Sequence, residues 1–149
     1  MRFITKERAF LKDMMNMDFK RKLTIPAELK KEYPATEQMR HCFLERDGAL
    51  KRILSGEDDR IVLIIGPCSA DREGSVLDYV NRLRELQARV KERIFIIPRV
   101  YTNKPRTTGA GYKGMLHQPN PDAAPDMLKG LIAIRELHMQ VLRQTGFSA

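Results

Sequence analysis

Hydrophobic residues recur along this chain in two rhythms. After Thr36, placed to cap a helix, Phe43, Leu44, Leu50, Ile53 and Leu54 mark an apolar helical face that Gly56 ends, with Gly48 weakening its middle. In "RIVLIIGPCS" the rhythm changes. Five consecutive apolar, mostly β-branched residues, Ile61 to Ile65, run into Gly66-Pro67 and predict a strand buried on both faces. Helical spacing returns with Val76, Leu77, Val80, Leu83, Leu86 and Val90. "IFIIPRVYT" predicts a second strand, with a bulge or bend at Pro98, which lacks the ladder donor. Residues 103–122 read as a long loop rich in Gly, Pro, Asn and Thr. A last helix follows, with Asp122 as a candidate cap, a stripe from Met127 to Leu142, and Gly146 as its stop.

Strands alternating with helices predict right-handed parallel βαβ units and an α/β fold. Two parallel strands do not make a self-sufficient sheet covered on both faces, so the sheet is expected to be completed elsewhere. Residues 1–34 read as a polar arm punctuated by Pro26 and Pro34, with Met14, Met15 and Met17 as adaptable packing.

Composition narrows the picture. The chain has 149 residues, 42% hydrophobic and 31% charged, which suits one globular domain. No stretch approaches the roughly 20 apolar residues of a membrane span. The basic N-terminus has no apolar core of a secretory signal, and Glu7, Asp13 and Asp18 interrupt any transit-peptide pattern, so the expected address is the cytoplasm. Cys42 and Cys68 form no disulfide framework. A net charge of +8 permits nucleic-acid binding, but no zinc spacing or basic-aromatic interleaving supports it, and no nucleic-acid partner is expected.

Residues 109–114, "GAGYKG", match G-x-G-x-x-G. A dinucleotide fingerprint needs a strand directly before the first glycine and a helix opening at the last. Here residues 102–108 intervene before it, and Pro119, Pro121 and Pro125 follow. The dinucleotide reading is therefore rejected, and the Walker pattern fails for want of Lys-Ser or Lys-Thr at a suitable spacing.

Parallel α/β proteins place their ligand sites at the carboxyl ends of strands. The first strand delivers Cys68 and Ser69 there. The second delivers Arg99, with Lys104 and Arg106 just beyond, and Thr107 and Thr108 as hydroxyl donors. Clustered cations repel unless they face anions, and Arg and Lys suit phosphate and carboxylate. The rim reads as a site for an anionic, phosphorylated small molecule. Each residue also has a plain structural reading: Cys68 as a small buried apolar residue, Arg99 as an ion-pair partner, Lys104 and Arg106 as solvated loop cations. His41, His117 and His138 show no metal spacing.

"IGPCS", then "RVY", then "KPRTT" closely resemble the microbial class I 3-deoxy-D-arabino-heptulosonate 7-phosphate (DAHP) synthases. "EYPATE" and "ILSGEDDRIVLIIGPCS" extend the resemblance upstream, over roughly residues 23–145. "TGAGYKGM" departs from the form of the best-known members. The resemblance implies the N-terminal part of a (β/α)8 TIM barrel, its first two β/α units, with residues 1–57 as extension arm and helix and 58–149 as incomplete barrel. It implies condensation of phosphoenolpyruvate with erythrose 4-phosphate, opening the shikimate route to aromatic amino acids. Cys68 would ligate a divalent metal (Mn, Fe, Co or Zn), the remaining ligands lying outside this chain. Arg99 and Lys104 would bind phosphoenolpyruvate, with Lys104 assisting proton transfer as the catalytic residue. Arg106, Thr107 and Thr108 would hold the erythrose 4-phosphate side, with Pro105 among the substrate-binding residues. The full-length protein would be a homo-oligomer. Such a barrel takes about 250 residues, so the chain is expected to be an N-terminal fragment without synthase activity alone. The alternative is a non-catalytic half-barrel module that assembles with a partner chain. Synthases using arabinose 5-phosphate are a further variant, disfavoured by "KPRTT".

Overall fold

The computed structural model describes residues 23–104, 106 and 109–149. The first part of the expected arm and its methionines lie outside the described residues. The second part is not irregular: Pro26–Glu32 form a short helix, α1. Pro26 supplies a φ already suited to a first turn, and the Glu28 carboxylate accepts the Ile25 N–H at 3.2 Å. Helix α2, Glu37–Ser55, starts where Thr36 Oγ1 accepts the Met39 N–H at 3.2 Å and stops at Gly56, whose φ of 79° is left-handed. Strand β1, Ile61–Ile65, helix α3, Glu73–Val90, and strand β2, Ile94–Pro98, follow in order. Helix α4, Met127–Thr145, ends at Gly146, again left-handed.

β1 and β2 pair in parallel, Ile61 with Ile94 through Ile65 with Pro98, without interruption. The expected bulge at Pro98 is therefore absent. The register explains why: bonds from Ile61 N to Arg93 O and from Arg99 N to Ile65 O put residues 93, 95, 97 and 99 toward β1. Pro98 faces the other edge, where its missing N–H breaks no rung of this ladder.

The core lies where α3, α4 and β2 meet. Val76, Val80 and Leu83 of α3 pack with Ile96 of β2 and Leu137 and Val141 of α4, joined by Ala70, Met115 and Phe147. The expectation that β1 is buried on both faces fails: Ile61 is 68% and Ile64 64% exposed. Among the described residues β1 has only β2 beside it in the sheet, and α3 seats on β2, so much of its apolar surface is left exposed. On α2, Phe43, Leu44 and Leu54 are likewise exposed, and only Met39 is buried. The N-terminal segment is fixed to α4 by the Arg135 guanidinium, which donates twice to the Tyr33 carbonyl, at 3.1 and 2.9 Å.

Asp122 is not the cap of the last helix. Asp126 is: its carboxylate accepts the Leu128 and Lys129 N–H groups, both at 3.1 Å. Pro125 disfavours helical backbone at Ala124, so the helix opens after it. Asp122 pairs instead with Arg72 at 3.1 Å.

Candidate active site

Because β1 and β2 run parallel, the chain leaves both at the same end. Arg99 N donates to Ile65 O at 2.8 Å, setting Gly66 against the backbone of Arg99. A Cβ on Gly66 would lie 1.9 Å from Arg99 O, so only glycine lets the two strand exits approach this closely. Beyond it, Ala70 N donates to Tyr101 O at 2.9 Å, which carries the alignment past the strands and holds Cys68 beside residues 99–104.

The Lys104 ammonium donates to Cys68 Sγ at 2.9 Å. That hydrogen bond, and then the positive charge behind it, holds the Cys68 thiol below its usual range. Burial opposes this, and Arg99 and then Arg106 push the same way as Lys104, each more weakly than burial. All three cations of the rim therefore act on one exposed sulfur. Arg99 donates NH1 to the Pro67 carbonyl at 3.1 Å, and its guanidinium lies 4.1 Å from the Tyr101 ring centroid. Arg106 donates Nε to the Tyr112 carbonyl at 3.0 Å. Ser69, by contrast, turns its Oγ inward, where it is buried without a hydrogen-bond partner among the described residues.

The glycine loop folds back on the chain leaving β2. Lys104 N donates to Lys113 O at 2.9 Å, and Leu116 N to Thr102 O at 3.0 Å. Gly114 makes this possible: its φ is 97°, and a Cβ there would lie 2.4 Å from Thr102 O. The loop is thus a brace for the cationic segment. Two tyrosines contribute that sequence reasoning passed over. Tyr101 stacks under Arg99, and Tyr112 places its carbonyl on Arg106 while its hydroxyl reaches Ala70 O at 3.5 Å. The spacing of Tyr101 two residues after Arg99 in "RVY" was the available signal.

The structure brings Cys68, Arg99, Lys104 and Arg106 to one rim. Pro105, Thr107 and Thr108 lie outside the described residues. Among the described residues none of the three histidines bonds to a rim side chain: His41 pairs with Glu45, His117 meets Asn103 Oδ1, and His138 is half-buried on α4, where burial lowers its pKa. A cavity of about 380 Å³ between α2 and α4 is lined by none of the rim residues.

The donor set does not fit a metal by itself. Cys68 is one soft ligand with a lysine ammonium against its sulfur, and among the described residues no group of three His, Cys, Asp or Glu side chains could hold an ion. The rim is instead suited to hold anions and to place a lysine proton beside them.

Residues 25–141 match the model of the DAHP synthetase I family. Over 119 residues the chain is 36% identical to a phospho-2-dehydro-3-deoxyheptonate aldolase of Amycolatopsis methanolica, covering 80% of this chain and 58% of that protein. Over 121 residues it is 35% identical to the Phe-sensitive phospho-2-dehydro-3-deoxyheptonate aldolase of Escherichia coli K12, covering 81% of this chain and 34% of that one. The solved structure of the phospho-2-dehydro-3-deoxyheptonate aldolase from Francisella tularensis SCHU S4 superposes with a TM-score of 0.77 at 31% identity, covering 87% of this chain and 38% of that chain. The chain therefore spans between about a third and three-fifths of the length of these relatives.

Proposed function

The chain belongs to the DAHP synthetase I family, and on that premise we propose that it supplies the first two β/α units of a (β/α)8 barrel, residues 58–149, behind an extension formed by residues 1–57. The complete barrel condenses phosphoenolpyruvate with erythrose 4-phosphate, releasing phosphate, at the entry to aromatic amino acid biosynthesis. The observation that carries this reading is the convergence of Arg99, Lys104 and Arg106 around Cys68 at the carboxyl ends of two parallel strands.

The two substrates bring two phosphates and a carboxylate. Arg99 and Lys104 take phosphoenolpyruvate, the planar guanidinium gripping one anionic group and the ammonium neutralising another. Lys104 also holds a proton at Nζ, available to the reacting enol. Arg106, with Thr107 and Thr108, forms the erythrose 4-phosphate side, and Pro105 belongs to the same substrate-binding segment. Cys68 is the ligand this chain offers to a divalent metal of the manganese, iron, cobalt or zinc kind, which would act as a Lewis acid once the other ligands are supplied. The preformed positive field of the rim stabilises charge as it develops in the transition state. On our reading the working protein is a cytoplasmic homo-oligomer. Among the described residues no helix is long and apolar enough to cross a membrane.

The purified 149-residue chain is expected to bind phosphoenolpyruvate by calorimetry, and Lys104→Met to weaken that binding about tenfold or more by removing a charge-assisted bond. In a coupled assay with both substrates and manganese, the chain alone should show no turnover above Cys68→Ala. Turnover above that control would overturn the inactivity of the isolated chain, and absence of phosphoenolpyruvate binding would overturn the site. The exposed apolar edge of β1 favours a second reading: a half-barrel that assembles with a partner chain without performing catalysis.

A further inference from the structure

The two edges of the sheet are treated differently by the rest of the chain. In the parallel register Val62 and Ile64 turn their N–H and C=O groups away from β2, while Ile94, Ile96 and Pro98 turn theirs away from β1. The outer edge of β2 is occupied at Ile94 O, Ile96 N and Ile96 O. Gln87 of α3 donates Nε2 to Ile94 O at 2.7 Å and accepts the Ile96 N–H on Oε1 at 2.7 Å. Arg46 of α2 donates NH2 to Ile96 O at 2.6 Å. Pro98 has no N–H to offer. Among the described residues no comparable bond reaches Val62 or Ile64.

A glutamine side chain carries the same amide group as a peptide bond. Bonded to the O of one residue and the N–H two residues on, it stands where a neighbouring strand would place its own backbone. Arg46 is held for its part by aromatic faces, 4.4 Å from the Phe95 centroid and 4.9 Å from that of Phe147. An unpaired strand edge is a template for another chain, and proteins that leave one open risk edge-to-edge association.

We propose that Gln87 and Arg46 form an edge guard that keeps β2 from pairing with the β2 of a second copy of this chain, leaving β1 as the edge at which the sheet extends. Without the guard, the two β2 edges would meet antiparallel across a two-fold axis. The guard stands on this chain's own hydrogen bonds. Only one corollary rests on the barrel reading above: Gln87 and Arg46 must leave the edge before β2 accepts a further strand.

The test uses the whole chain in an Ile64→Lys background, which closes the β1 edge so that any gain in association comes through β2. Gln87→Ala and Gln87→Met are compared, the methionine keeping the stem length and packing should alanine fail to fold. At low protein concentration, hydrogen exchange at the Ile96 amide should quicken about three- to tenfold, with Phe95 and Ile97, which face β1, unchanged. At high concentration, sedimentation velocity should show a shift from monomer to dimer. Unchanged exchange at Ile96 would overturn the proposal, and so would faster exchange with no gain in association. Neither outcome depends on substrate binding or turnover.

Discussion

Cys68 owes its character to what surrounds it and not to burial. It is exposed, so a thiolate there is solvated, and Lys104 at 2.9 Å adds a direct charge-assisted bond. Because the cation favours the charged form, removing it must let the thiol titrate at higher pH. Iodoacetamide alkylation of Cys68 in chelator, followed against pH by mass spectrometry, should therefore shift its midpoint upward in Lys104→Met, and the rate near neutral pH should fall severalfold. An unchanged midpoint would remove Lys104 as the chief cause. The sequence located this pair without resolving it. Parallel strands send consecutive exits to one rim, which makes Cys68, Arg99, Lys104 and Arg106 neighbours on topology alone. Nothing in the spelling "RVY" says that Arg99 turns to the Pro67 carbonyl and stacks on Tyr101. That choice depends on the backbone of the other strand exit, which Gly66 brings within contact distance.

Elements were legible where one local signal decides them and misread where two compete. Thr36 and Gly56 bound α2 as expected, because a cap oxygen and a left-handed glycine act within a turn of themselves. At the start of α4 two aspartates compete, and Pro125 decides for Asp126 by constraining the backbone ahead of it. Asp126→Ala should then cost about 1 kcal/mol in urea denaturation. Asp122→Ala should cost less than about 0.5 kcal/mol, because its pair with Arg72 is exposed on both sides. Equal losses at the two positions would mean that the helix begins earlier than Met127. The strands show a different limit. Five apolar residues in a row announce a strand destined for burial on both faces, but not which elements provide the cover. β2 receives it from α3 and α4, and among the described residues β1 does not. The two-residue alternation of the register, invisible in an all-apolar run, also sets which groups of β2 Gln87 and Arg46 can reach.

At the scale of the molecule, apolar surface is unevenly distributed between the two strands. Ile96 is wholly buried, whereas Ile61 and Ile64 are about two-thirds exposed although their side chains are just as apolar. Exposed apolar surface marks a contact face, and the outer backbone of Val62 and Ile64, unpaired among the described residues, lies along it. This separates two roles that one strand would otherwise share. If β1 stabilises the described fold, a charge at position 61 or 64 unfolds it; if β1 is a contact face, the charge leaves the fold intact and abolishes the contact. The structure favours the second outcome. Ile61→Lys and Ile64→Lys should each change the unfolding free energy by less than about 0.5 kcal/mol, while lowering dye binding to exposed apolar surface and self-association at high concentration. Ile96→Lys buries an unpaired ammonium and should cost more than about 4 kcal/mol, a large share of the roughly 5–15 kcal/mol that holds a domain together. Mixed with a chain supplying the remainder of a DAHP synthase barrel, the native sequence should restore turnover that Cys68→Ala lacks. Ile64→Lys should fail to restore it while still binding phosphoenolpyruvate at its intact cationic rim. Restoration by Ile64→Lys at the native level would show that the barrel closes without the β1 edge.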